Sequence, residues 1–328
     1  WRHWVRAGAG RRCWGGETAG GGVRGASTTP ATAYYTERRY PPGRWGGGGL
    51  GAVGLARGEV GREEQMALLF GAGQHPGTGQ ALGRAYRQYA PAAERVRQRI
   101  ASLPVELSAQ DRADFAEQIT KMETGRPTPH AVAGFDLTFT VPKSVSVLWA
   151  VAKPAVQAAI VDAHQAAVAD ALAFFEDRAL FTRIGTDGCA QVRTGGMLAT
   201  AFDHWDTRTG DPNLHTHVVV ANKVQGPDGK WRALDSRALH HATVAVSELY
   251  DDLIADHLTA RLPVSWGWRD RGERRTPAFE LDGSSDGLLT IFSTRSGQVA
   301  NAMRERLTTF TEQHGRGPDA DRAHQVTG

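Results

Sequence analysis

Phe202-Asp203-His204-Trp205-Asp206-Thr207-Arg208-Thr209-Gly210-Asp211-Pro212-Asn213-Leu214-His215-Thr216-His217-Val218-Val219-Val220-Ala221-Asn222 is the stretch from which the rest of the chain can be read. Its second half carries a β-branched run, and Asp211-Pro212-Asn213 before it is turn chemistry, so a strand is predicted to begin near Leu214. Successive strand side chains point to opposite faces, which puts His215 and His217 side by side on one face. Met197 to Phe202 reads as the incoming strand, and the eight-residue link from Asp206 to Asn213 is short enough to return it antiparallel. That hairpin brings His204 beside the pair. Three imidazoles from two paired strands make half of a coordination sphere, with positions left for water or substrate. A lone His-x-His is common by chance; a third histidine across a short hairpin is what gives the pattern weight.

Upstream, Val132 to Thr140 alternates as a strand, with Asp136 on the face opposite Phe135, Leu137 and Phe139. Pro142-Lys143-Ser144 closes it and opens a helix. Pro154 starts a second, long helix with apolar positions at Val156, Ile160, Ala163, Ala167 and Ala171. Helical spacing also marks Glu63–Phe70, Ser108–Met122, Ala242–Leu262 and residues 285–314. Short strands are predicted at Leu180–Ile184, Ala190–Arg193, Lys230–Ala233, Val264–Trp268 and Ala278–Leu281, and a short helix over Ala31–Tyr40. Strands and helices do not alternate in a βαβ rhythm. The expectation is an α+β fold: a central, mainly antiparallel sheet with helices packed on it.

The 328 residues can build a substantial core. No apolar run in the sequence is expected to span a membrane, no signal peptide is visible, and no Walker loop or GxGxxG occurs. Cys13 and Cys189 have no metal spacing and suit a reducing compartment. Net charge is only +3, but residues 1–45 hold eight arginines against two glutamates, so this segment suits a phosphate backbone. Residues 1–30 are rich in Gly and Arg without periodicity and are expected to be mostly disordered. The domain is expected to run over 31–314, with 315–328 a linker.

At this point the residues resemble a known family. Gly134-Phe135-Asp136-Leu137-Thr138-Phe139-Thr140-Val141-Pro142-Lys143-Ser144-Val145-Ser146 is similar to the G-[FY]-D-L-T-F-S-x-P-K-S-V-S block of conjugative relaxases of the MobF (TrwC/TraI-type) class. The segment Asp211 to Val219 resembles their histidine motif, the signature of the HUH endonucleases, and His204 falls at the spacing of their third histidine. Ala33-Tyr34-Tyr35-Thr36-Glu37, followed by Pro41-Pro42-Gly43-Arg44-Trp45, is similar to their tyrosine region. Family members often carry two tyrosine pairs; Tyr34-Tyr35 is the one pair here, and it resembles the second. The upstream stretch offers Trp1 and Trp4 instead.

The resemblance implies a five-stranded antiparallel palm with helical fingers and a divalent metal (Mg, Mn or Zn) on His204, His215 and His217. It implies nicking of one plasmid strand at an origin of transfer through a 5′-phosphotyrosine, to start conjugation. The nucleophile it implies is Tyr34, with Tyr35 and then Tyr40 as rivals. Asp136 either accepts the tyrosine proton or holds a ligand histidine in its tautomer. Arg38, Arg39, Arg44, Trp45 and Lys143 are the candidate contacts to single-stranded or hairpin DNA. Relaxosome accessory proteins and a transfer coupling protein are the implied partners. The implied setting is the bacterial cytoplasm, with passage to a recipient cell on the DNA and without membrane insertion; a helicase domain usually follows in the family. Two other readings compete: a metal-dependent hydrolase using activated water, which leaves no covalent adduct, and a DNA-binding module that has lost catalysis.

Overall fold

The computed structural model describes the backbone of residues 3–7 and the segments 40–87, 89–127, 131–207, 209–271 and 276–316. Its centre is a five-stranded antiparallel sheet of β1 (His3–Ala7), β2 (Arg44–Gly46), β3 (Ala131–Thr140), β6 (Ala199–Asp206) and β7 (Pro212–Ala221), in the order β1-β3-β7-β6-β2. Within the segment expected to be disordered, His3–Ala7 pairs with β3, placing His3 opposite Asp136. No sequence periodicity marks this strand, because an edge strand takes its order from backbone pairing. The remainder of 1–30, and the helix expected over Ala31–Tyr40 up to residue 39, lie outside the described residues.

β7 is buried in the middle because it can satisfy both faces. Leu214, Thr216, Val218 and Val220 point one way, toward Phe135, Leu137 and Phe139 of β3 and the long helices α5 (Pro154–Ala179) and α6 (Ser236–Thr259). Pro154 sits at the first position of α5, where its missing N–H costs nothing. The expectation that no apolar run could span a membrane needs correction. By length and composition α5 is such a helix. Packing explains the apolarity, because Ile160, Ala163, Ala167, Ala171 and Phe175 lie fully buried between sheet and α6.

On the opposite face of the sheet, the described residues build a second core cluster at one end. Trp45, Leu50, Val53, Met66, Leu69 and Phe70 pack on Leu198, Phe202, Val219 and Ala221. They come from β2, a 3₁₀ turn (Gly48–Val53) and α1 (Glu63–Met66), which continues as a π turn to Ala72. At the other end of that face stand His215 and His217.

Around this centre are α2 (Ala92–Ala101) and α3 (Ala109–Gly125), the latter capped by the Ser108 hydroxyl accepting from the Asp111 N–H. Ribbons form from β4 (Phe181–Ile184) with β5 (Ala190–Arg193), β8 (Val224–Gln225) with β9 (Trp231–Arg232), and β10 (Trp266–Arg269) with β11 (Ala278–Leu281). Two further helices, α7 (Asp286–Ile291) and α8 (Thr294–His314), follow β11. α4 (Lys143–Val151) starts where expected. Its first turn is fixed by buried Glu280, which accepts from the Ser144 N–H at 2.8 Å and from the Ser144 hydroxyl at 2.6 Å, tying β11 to the palm.

Candidate metal centre

The register of β6 on β7 places His204 directly opposite His215, and Phe202 opposite His217. The shift after His204 lets the strand turn into the link 207–211. The three imidazoles therefore converge: each pair of ring centroids is 5.1 Å apart, and one nitrogen from each lies within 4.8 Å of the others. Among the described residues this is the one such cluster of histidine, cysteine and carboxylate side chains.

Tautomers follow from the hydrogen bonds. His215 Nδ1 is 2.6 Å from the Asn213 carbonyl, which can only accept, so Nδ1 carries the proton and Nε2 the lone pair. His217 Nδ1 is 3.0 Å from each oxygen of Asp136, which fixes the same tautomer. Burial holds His215 down to about 4, with the neighbouring His217 adding to the effect, so it is neutral at pH 7 as a ligand must be. The donor set (three imidazoles, two with their second nitrogen held by an acceptor) fits a divalent transition metal or zinc. Of the two roles expected for Asp136, its contact with His217 Nδ1 is the arrangement the second requires.

Tyr40 lies against this centre. Its ring stacks on His204 with centroids 4.0 Å apart and planes at 19°, and its hydroxyl donates to Asp206. Tyr34, Tyr35, Arg38 and Arg39 lie outside the described residues. The expectation that Trp45 is exposed for base stacking is corrected: only 1% of it is accessible, because as an edge-strand residue opposite Thr200 it faces the second core cluster. Arg44 pairs with Asp203 at 2.6 Å. Lys143 donates to the Pro212 carbonyl at 2.8 Å, pinning the start of α4 to the turn before His215, and burial lowers its ammonium from the ordinary lysine range.

The sequence reading missed a cationic groove at the far end of β3 and β7, lined by Arg84, Arg87, Arg183, Trp231, Arg232 and Arg237. These positions are scattered over more than 150 residues, so no local charge run marks them.

With the palm and its three-histidine centre in place, comparison with known proteins is direct. The TrwC relaxase family model matches residues 19–327, and the chain belongs to that family of DNA-nicking transesterases. Over 104 residues it is 44% identical to the multifunctional conjugation protein TraI of Escherichia coli, a match covering 31% of this chain and 6% of that protein. A metal-bound structure of the conjugative relaxase TrwC in complex with oriT DNA superposes with a TM-score of 0.61 at 25% identity, covering 90% of this chain and 84% of that one. A TrwC complex with a 27-mer comprising the recognition hairpin and the cleavage site gives 0.59 at 25% identity, covering the same shares.

Proposed function

We propose that this chain cuts one strand of DNA at an origin of transfer and retains the 5′ end on a tyrosine, opening conjugative transfer. The observation that carries the reading is the convergence of His204, His215 and His217, with His217 oriented by Asp136. A divalent cation there, of the class Mg, Mn or Zn, would neutralise charge developing on the scissile phosphate. A tyrosine oxygen attacks phosphorus and the 3′ oxygen leaves with a proton, so the bond energy is kept for rejoining the strand.

Tyr34 is the proposed nucleophile, followed by Tyr35. Tyr35 is five residues from Tyr40, at most about 18 Å of extended chain. Tyr40 stacks on His204, so the chain just downstream of both candidates is anchored at the centre. Tyr40 itself, with its ring on a ligand histidine and its hydroxyl on Asp206, is better suited to packing. The basic groove is assigned to the DNA backbone. Accessory relaxosome proteins and a coupling protein are the further partners of this reading, its setting the bacterial cytoplasm, with passage to the recipient on the transferred strand.

A gel for covalent adducts with an origin-derived oligonucleotide, followed by mass mapping of the phosphopeptide, tests the reaction. The expected adduct falls on Tyr34 or Tyr35, disappears in H215A/H217A, and is absent with chelator. Cleavage that releases free 5′ ends without an adduct would favour an activated-water hydrolase. Binding without cleavage would favour a catalytically silent module. For the groove, R87A and R237A should each weaken binding and reduce the slope of log affinity against log salt by about one. Unchanged salt dependence would sink that assignment.

A further inference from the structure

Directly beneath the metal ligands, on the helix-packed face of the sheet, runs a buried polar chain that the nicking reaction as proposed does not use. Thr216 separates His215 from His217 and points the opposite way, as alternation requires. Its hydroxyl donates to Asp203 Oδ1 at 2.7 Å, directly across on β6. It has one proton to give, so it must accept from His164 of α5, whose Nε2 is 2.8 Å away. His164 is thereby the Nε2–H tautomer, and its Nδ1 accepts from the Tyr250 hydroxyl of α6 at 2.7 Å. Arg44 closes the chain on Asp203 Oδ2. Every bond runs the same way: Tyr250 to His164, His164 to Thr216, Thr216 to the carboxylate held by arginine. His164 and Thr216 are both almost wholly buried.

We infer that His164 is a positioning residue for the metal centre: through the Thr216 hydroxyl it holds the backbone between His215 and His217 at the height and pitch their Nε2 atoms need. A strand between two ligands can otherwise slide or pucker by a few tenths of an ångström at little cost, and a coordination site is sensitive to that scale. A fully connected buried network resists the movement, because shifting Thr216 would strand buried donors and acceptors on three elements. Burial holds His164 down to about 4, keeping it neutral and in this tautomer at working pH. The inference rests on the metal reading of the three histidines.

The test is metal affinity, measured by chelator competition with Mn²⁺ or Co²⁺, together with nicking as a function of metal. Thr216→Val, which keeps the shape and deletes the hydroxyl, should bind metal about tenfold more weakly, and so should His164→Asn. The metal concentration for half-maximal nicking should rise by the same factor, while the rate at saturation stays within about twofold. Thr216→Ser should restore the parent value. Leu239→Ala, a core change on α6 three turns from Tyr250, controls for lost stability and should leave metal affinity unchanged. In chelated protein, a slowly exchanging His164 Nε2–H resonance should be present in the parent and lost in Thr216→Val. Should His164→Asn fail to fold, Thr216→Val and Tyr250→Phe decide. Thr216→Val with parental metal affinity, or a weakening in Leu239→Ala equal to that in Thr216→Val, would overturn the inference. A parent that binds neither ion would instead overturn the metal reading beneath it.

Discussion

At the residue scale the site separates by what each side chain is bonded to. Asp136 contacts His217, not an open position, and this makes Asp136→Asn informative. The amide oxygen still accepts from Nδ1–H but brings no charge, so metal affinity should drop roughly tenfold with most of the nicking rate recovered at saturating metal. A rate loss of 100-fold or more at saturation would instead make Asp136 the base for the tyrosine. Trp45 poses the opposite case. Being 1% accessible in a cluster with Leu50, Met66 and Phe70, Trp45→Ala should cost about 3–5 kcal/mol of stability, read by urea denaturation. Loss of DNA affinity at unchanged stability would return it to the surface. The three histidines were legible from the sequence because strand alternation and a short hairpin constrain them tightly. Trp45 was not, since nothing local says which face of an edge strand another segment will cover.

The elements show where local pattern carries information. β3, α4, α5 and β7 were readable because each has a period, a proline or a cap that acts within a few residues: Pro154 opens α5, and the alternation of β7 sorts histidines from valines. β1 has none of these, and its place comes from pairing with β3, the strand that carries Asp136. Deleting residues 1–8 leaves that edge of β3 open, a row of unpaired backbone donors and acceptors. The truncated chain should melt at lower temperature, self-associate with rising concentration in light scattering, and bind metal more weakly because the Asp136 strand is looser. A monomeric truncation with parental melting temperature would show that the sheet does not need its fifth strand.

On the scale of the whole molecule, the sheet separates two chemistries: ligands on one face, and on the other a helix layer holding a neutral histidine. The α+β class was legible from the order of elements. The groove of Arg84, Arg87 and Arg237 was not, because only the fold brings distant arginines together. Burying His164 and His215 makes stability depend on pH, and the sign can be worked out. Both are held near 4 in the folded chain, by burial first, against about 6.5 when unfolded. Below pH 6.5 the unfolded chain therefore takes up protons that the folded one refuses, and acid favours unfolding. The loss begins as pH falls through about 6.5 and levels off, for these two groups, below about 4, with a ceiling of roughly 3 kcal/mol apiece. Urea midpoints of the chelated protein at pH 7.5, 6.0 and 5.0 should fall progressively. Asp251, whose carboxyl burial raises to about 6, takes up its proton in the folded chain over the same range and offsets part of the fall. His164→Gln, which cannot titrate, should therefore fall clearly less than the parent between 6.0 and 5.0 while starting from a lower stability. An equal fall between pH 7.5 and 5.0 in the parent and in His164→Gln would mean that His164 is not held neutral by burial, and the fixed direction of the hydrogen-bond chain beneath the metal ligands would fall with it.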